Sequence, residues 1–169
     1  MKSNERYNDF LNFSLRRMLE SAALYESQAK LCGDQPSKLF LYYLASKKRV
    51  QYVQIEKANE ALRTADTESD ENSYIFAELV PENTDLSKMS ISEIHSLVRR
   101  KAEQEFNLFI DLASFEEDTP TKKMLINLSK MAKQFNNDID TGYALFACRN
   151  KTIRIPTKPK NKMPILAQA

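Results

Sequence analysis

The chain repeats itself. The stretch Leu24–Leu62 returns eighty-four positions later as Leu108–Phe146, and the two align without a gap. Ala29 falls on Ala113, Asp34 on Asp118, Pro36 on Pro120 and Lys38 on Lys122. Leu41 meets Leu125, Leu44 meets Leu128 and Ile55 meets Ile139. Tyr25 with Phe109, and Ser37 with Thr121, are conservative matches; upstream, Arg16 and Arg17 fall on Arg100 and Lys101. Each copy places an Asp-x-Pro turn between two helical patterns. Two copies are too few for a solenoid, which buries its faces by stacking three or more units. The architecture this leaves is a duplicated helical hairpin.

Only two glycines in 169 residues leave few turns, which favours long helices over short strands. The first helix is expected over residues 4–32. Leu11, Leu15, Met18, Ala22, Tyr25 and Ala29 recur at steps of three and four and form one apolar face, widened by Phe10, Phe13, Leu19 and Leu24. Gly33 stands where helices commonly stop, Asp34 can cap the next helix, and Pro36 suits its first turn, where a missing N–H costs nothing. The second helix is expected to reach about Arg63, with Leu41, Leu44, Ala45, Lys48, Gln51, Tyr52, Ile55 and Leu62 on its stripe. Thr64–Met89 contains the acidic TADTESDEN and a short YIFAELV, a helix or strand that Pro81 ends. This segment is long for a turn and suits a crossover along a bundle. Ser90 and Glu93 form a capping box that opens a third helix to about Glu116, burying Ile94, Leu97, Val98, Phe106, Phe109, Leu112 and Ala113. Asp118 and Pro120 start the fourth, which buries Met124, Leu125, Leu128, Met131, Ala132, Phe135 and Ile139; Gly142 weakens it near its end.

Residues 150–169 hold prolines at 156, 159 and 164, so they are not helical, and Thr152–Ile155 alternates like a short strand or extended arm. Residues 1–149 are thus expected to form one bundle domain, with 150–169 a basic extended tail. The net charge of +2 conceals an asymmetry: Arg149, Lys151, Arg154, Lys158, Lys160 and Lys162 crowd the end without an acid. They are candidate anion-binding residues. Without interleaved aromatics to stack bases, nucleic acid is a weakly supported partner. The apolar Met163–Ala167 better suits packing on a second subunit. No apolar run is long enough to cross a membrane, no export signal is visible, and Cys32 and Cys148 form no CxxC pattern. Reduced thiols in a cytoplasmic protein are the expectation.

Two hairpins joined by a long crossover, each with an aromatic-x-x-x-Ala, an Asp–Pro turn and Leu-x-x-Leu-(Ala/Ser), resemble the ferritin-like superfamily. Within it, the similarity is to the rubrerythrin-type di-iron domain. The resemblance covers residues 4 to about 147. It implies an all-α, ferritin-like four-helix bundle. In that family each hairpin supplies a Glu from its first helix and a Glu-x-x-His from its second, and these groups neutralise and coordinate two irons. The resemblance places the first Glu at Met18 and Ala102, and the Glu-x-x-His pairs at Lys48 with Gln51 and Ala132 with Phe135. None of the six is a carboxylate or a histidine. It therefore implies a relative that has lost its di-iron site, with no catalytic residue and no cofactor, acting as a structural or binding module and as a homodimer or other homo-oligomer. The alternative is an iron-binding oxidoreductase with unconventional ligands.

Lys48 and Gln51 interrupt an apolar stripe. Either Lys48 snorkels from its edge while Gln51 bonds a neighbour, or its ammonium turns inward to a carboxylate such as Glu103 or Asp138. Glu20, Glu103 and Glu105 lie near the missing ligand positions but are expected to point away from the core. Asp138 and Asp140, two apart on a helix, should diverge. His95, the only histidine, is expected near the surface without an acidic partner. Cys32 and Cys148 should lie at one end of the bundle as buried or idle thiols, with a redox disulfide the alternative.

Overall fold

The computed structural model describes residues 2–59 and 84–148. Four α-helices account for nearly all of them: α1 (Lys2–Leu31), α2 (Gln35–Asn59), α3 (Ile91–Phe115) and α4 (Thr119–Ala147). A single 3-10 turn, Leu86–Lys88, precedes α3, and no strand occurs among the described residues. The expected end of the second helix at Arg63, the YIFAELV element and the whole tail from Arg149 lie outside them.

Local chemistry sets the helix boundaries. Asp34 Oδ2 accepts from Ser37 N at 3.0 Å and from Ser37 Oγ at 2.5 Å, while its carbonyl takes Lys38 N at 2.9 Å. Asp118 does the same before α4, accepting from Thr121 N at 2.9 Å and Thr121 Oγ1 at 2.6 Å, with Lys122 N on its carbonyl at 2.9 Å. Each cap satisfies first-turn donors that have no partner within the helix. Ser37 and Thr121 are fully buried beneath their caps. The capping box before α3 forms as the sequence suggests, with Ser90 N donating to Glu93 Oε2 at 2.8 Å. α1 stops at Leu31, just before Gly33 as the sequence suggests, but Gly33 is not in the left-handed region, so the helix ends without the backbone reversal that makes glycine necessary.

Helices α1 and α2 pack as one hairpin, α3 and α4 as another, and α2 against α4 is the closest join between them. α1 runs opposite to α3: Gln28 Oε1 accepts from Ser87 N at 3.0 Å near one end, and Arg6 lies 3.9 Å from Glu116 at the other. α2 runs opposite to α4, as Lys47 meets Asp138 and Gln51 meets Met131. Tyr7 hydroxyl on Asn59 ties the start of α1 to the end of α2.

The core has two clusters. One gathers Tyr25, Ala29, Cys32, Phe40 and Leu41 with Ile94, Val98 and Ile139 at the end where α1 turns into α2. The other gathers Tyr7, Leu11, Leu15, Ile55, Phe109 and Leu125 at the opposite end. Burying each large apolar side chain contributes about 1.5–3 kcal/mol relative to leaving it in water. Most expected stripe residues are inside. Leu19 is a correction: it is 40% exposed, because it sits a full step outside the Leu15–Met18–Ala22 line. Leu97, Phe106, Leu112 and Met131 flank the core, half-buried. No described helix is long and apolar enough to cross a membrane.

Candidate functional site

The two clusters meet in a middle layer, and the six positions singled out by the resemblance lie in it. Met18, Lys48, Gln51, Ala102, Ala132 and Phe135 are all buried, none more than 5% exposed. Met18 belongs to one cluster, and Ala102 and Phe135 to the other. All four helices contribute to this layer, α1 through Met18, α2 through Lys48 and Gln51, α3 through Ala102, and α4 through Ala132 and Phe135.

The lysine is the chemically unusual member. Its side chain turns inward, and Nζ lies 3.3 Å from Glu105 Oε2. The ammonium also sits over the Phe135 ring, 4.1 Å from its centre, where the negative face of the ring adds attraction. Glu105 keeps 24% of its side chain exposed, so one carboxylate oxygen can stay hydrated while the pair reaches inward. Gln51 hydrogen-bonds a neighbour, donating Nε2 to the Met131 carbonyl at 2.8 Å. Tyr25 completes the polar group. Burial, and after it the nearby Glu105 carboxylate, push its phenol above the ordinary tyrosine value, against an opposing pull from Arg17.

The partner of Lys48 differs from both expected carboxylates. Glu103 is engaged by Arg99 at 3.4 Å, and Asp138 by Lys47 at 3.1 Å. Glu105 takes the role because it lies three residues after Ala102. One near-turn of helix returns it to the inner flank, whereas Glu103, one residue on, swings away. Glu20 and Glu103 do point outward, with 56% and 55% of their side chains exposed. The spacing of three was the available signal for Glu105; for Tyr25 it was its place on the α1 stripe.

His95 is a second correction. It lies half-buried on α3, and its Nε2 donates to Asp140 Oδ1 on α4 at 2.8 Å. Its ring stacks on Tyr143, 4.3 Å between centres, and Arg99 also reaches Asp140 at 3.5 Å. This group clamps α3 to α4. Asp138 and Asp140 diverge as expected, one to α2 and one to α3. Cys32 is a buried free thiol and Cys148 an exposed one. Arg149, Lys151, Arg154, Lys158, Lys160 and Lys162 lie outside the described residues.

Chemically, the middle layer holds an internal ion pair. Lys48 contributes one positive charge, Glu105 answers it, and apolar side chains fill the space around them. Among the described residues, no three His, Cys, Asp or Glu side chains are grouped to hold a metal ion. Comparison of the chain with protein-family models, with curated proteins and with solved structures finds no match in any of the three.

Proposed function

We propose that this chain is a ferritin-like bundle, built from a duplicated hairpin, whose ion-binding middle is filled by its own side chains. On this reading it is a non-catalytic structural or binding module of rubrerythrin-like descent that works as a dimer. The observation that carries the reading is the Lys48 ammonium, buried in the middle layer on Glu105 where relatives of this architecture would hold ions. A fixed ammonium repels a metal cation and occupies its charge partner. Met18, Ala102, Ala132 and Phe135 leave the remaining ligand positions without a carboxylate or an imidazole. The paired Asp34 and Asp118 caps, built from the same bonds, support duplication. The antiparallel partnering of α1 with α3 and of α2 with α4 supports the ferritin-like path.

Two measurements test it. Ferrous iron added in air should oxidise no faster with the protein than without it, and light scattering on an eluting peak should give twice the chain mass. Rapid oxidation that disappears in Glu105→Gln would replace this reading with that of an iron-dependent oxidoreductase using unconventional ligands.

A further inference from the structure

The two hairpins align in sequence but do not present matching outer faces. On the first, Leu19 of α1 and Tyr42, Val50 and Val53 of α2 stand in solvent, 40%, 37%, 49% and 42% exposed. Tyr42, Val50 and Val53 fall on one side of α2 by their spacing. Arg49, beside Val50, crosses to Glu26 of α1 with hydrogen bonds of 2.9 and 2.8 Å, and Glu26 lies two turns after Leu19. The four apolar side chains therefore share the outer face of this hairpin, with Ala23 and Ser46 exposed among them. Eighty-four positions on, the chain has Glu103 for Leu19, Asn107 for Ala23, Lys130 for Ser46, Gln134 for Val50 and Asn137 for Val53, every one of them exposed. Aligned positions that face water are thus polar in the second hairpin and mostly apolar in the first. Neither helix formation nor the core demands apolar residues there, because the second hairpin does without them. The other large apolar side chains in solvent form no such face: Leu31 and Phe115 end their helices, Leu145 lies in the last turn of α4, and Ile110 stands on α3. An outer face kept apolar where its counterpart is polar is a contact surface.

Its charges point to what covers it. Met18 shares the middle layer with Lys48 and Gln51, and Tyr7 meets Asn59, which fixes the level of α1 on α2. A two-fold axis crossing the hairpin at that middle level lays α1 antiparallel on α1 of a second copy, and α2 antiparallel on α2. The exposed Arg16 of each copy then faces the exposed Glu20 of the other, and the Lys57 ammonium of each faces the Tyr42 ring of the other. Leu19, Val50 and Val53 close on one another near the axis. Arg49 also comes near it, but Glu26 already answers that charge. Glu20 gives up only a loose contact with Arg17 of its own helix, at 3.7 Å. We propose that the outer face of α1 and α2, centred on Leu19, Val50 and Val53, is the surface through which two copies of this chain pair about a two-fold axis. The proposal rests on the dimeric part of the reading above and names the surface that makes the dimer.

Sedimentation equilibrium of the full chain measures the association. A triple variant, Leu19→Glu with Val50→Gln and Val53→Asn, gives the first hairpin the residues of the second. It should keep its helix content by circular dichroism and associate about tenfold or more weakly. Ile110→Asn with Leu145→Gln, which removes exposed apolar side chains elsewhere, should change association by less than about twofold. Because the triple variant could disturb folding, the charge pairs give a second readout. Arg16→Glu alone and Glu20→Arg alone should each associate about threefold or more weakly, since each sets like charges opposite one another. An equimolar mixture of these two should recover the association of the unaltered chain, because the mixed dimer sets opposite charges in both places. A dimer that the triple variant leaves intact, or charge variants that associate no better mixed than apart, overturns this face and leaves the dimeric reading standing. An unaltered chain that stays monomeric overturns both, and a lower melting temperature of the triple variant would then mean that the chain's own residues cover the face.

Discussion

Gly142 has no room for a methyl group. A Cβ there would lie 2.5 Å from the Tyr43 ring and 3.1 Å from Phe40, so the absent side chain is what lets α4 approach α2 at this level. Gly142→Ala should cost about 1–3 kcal/mol in urea unfolding, since neighbouring rings must shift to admit it. Gly33 is the control: nothing lies within 4 Å of its Cβ position and its φ is ordinary, so Gly33→Ala should be neutral or slightly stabilising. The Lys48–Glu105 pair makes a sharper prediction at the same scale. Glu105→Leu strands a buried ammonium and should cost roughly 2–4 kcal/mol, discounted for the part-exposed carboxylate. Adding Lys48→Met should recover most of that loss, because an apolar pair suits this layer. A double-mutant cycle by chemical denaturation gives the coupling; a double variant as unstable as the single one would contradict a simple buried pair. Lys101 supplies the pH dependence. Its value in the fold is lowered from the ordinary 10.5, so the unfolded chain holds that proton more tightly. The charged group therefore costs the fold at neutral pH, and stability attributable to it rises as pH climbs toward 10.5. Lys101→Gln should thus unfold at a higher temperature than the unaltered protein near pH 7, with the gap closing in alkali.

At the scale of the element, the helix starts were the most legible feature of the sequence. Asp34, Asp118 and Ser90 act on residues three positions away, and an interaction that short is written in local spacing. Because the Asp34 and Asp118 caps use the same bonds, Asp34→Ala and Asp118→Ala should each cost about 1 kcal/mol, and nearly the same amount, in thermal or urea unfolding. Unequal costs would mean that the two hairpin starts are not equivalent in the fold. The hydrophobic stripes were legible for the same reason of periodicity. What was not legible joins elements that are distant in sequence. Spacing tells which flank of a helix a residue occupies, but not which side chain of the neighbouring helix meets it. His95 and Asp140 are 45 residues apart, and Lys48 and Glu105 are 57. Gly142 read as a weak helix former because its use depends on Tyr43 and Phe40 of another helix.

For the whole molecule, two hairpins lie antiparallel with an apolar cluster toward each end and a mixed layer between them. The helical periodicity and the Asp–Pro turns made two helical hairpins legible, and the apolar residues at Met18, Ala102, Ala132 and Phe135 are buried in the layer between the clusters. The choice of Glu105 as counter-ion was not legible. The central claim is that this layer holds its own cation, the Lys48 ammonium, in place of bound ions. The most direct test is elemental analysis by mass spectrometry of protein produced with iron, manganese and zinc supplied in excess. The account predicts metal far below one equivalent per chain, unchanged by chelator, with no loss of thermal stability after chelation. Stoichiometric metal retained between the four helices, and a fall in stability when it is stripped, would contradict it.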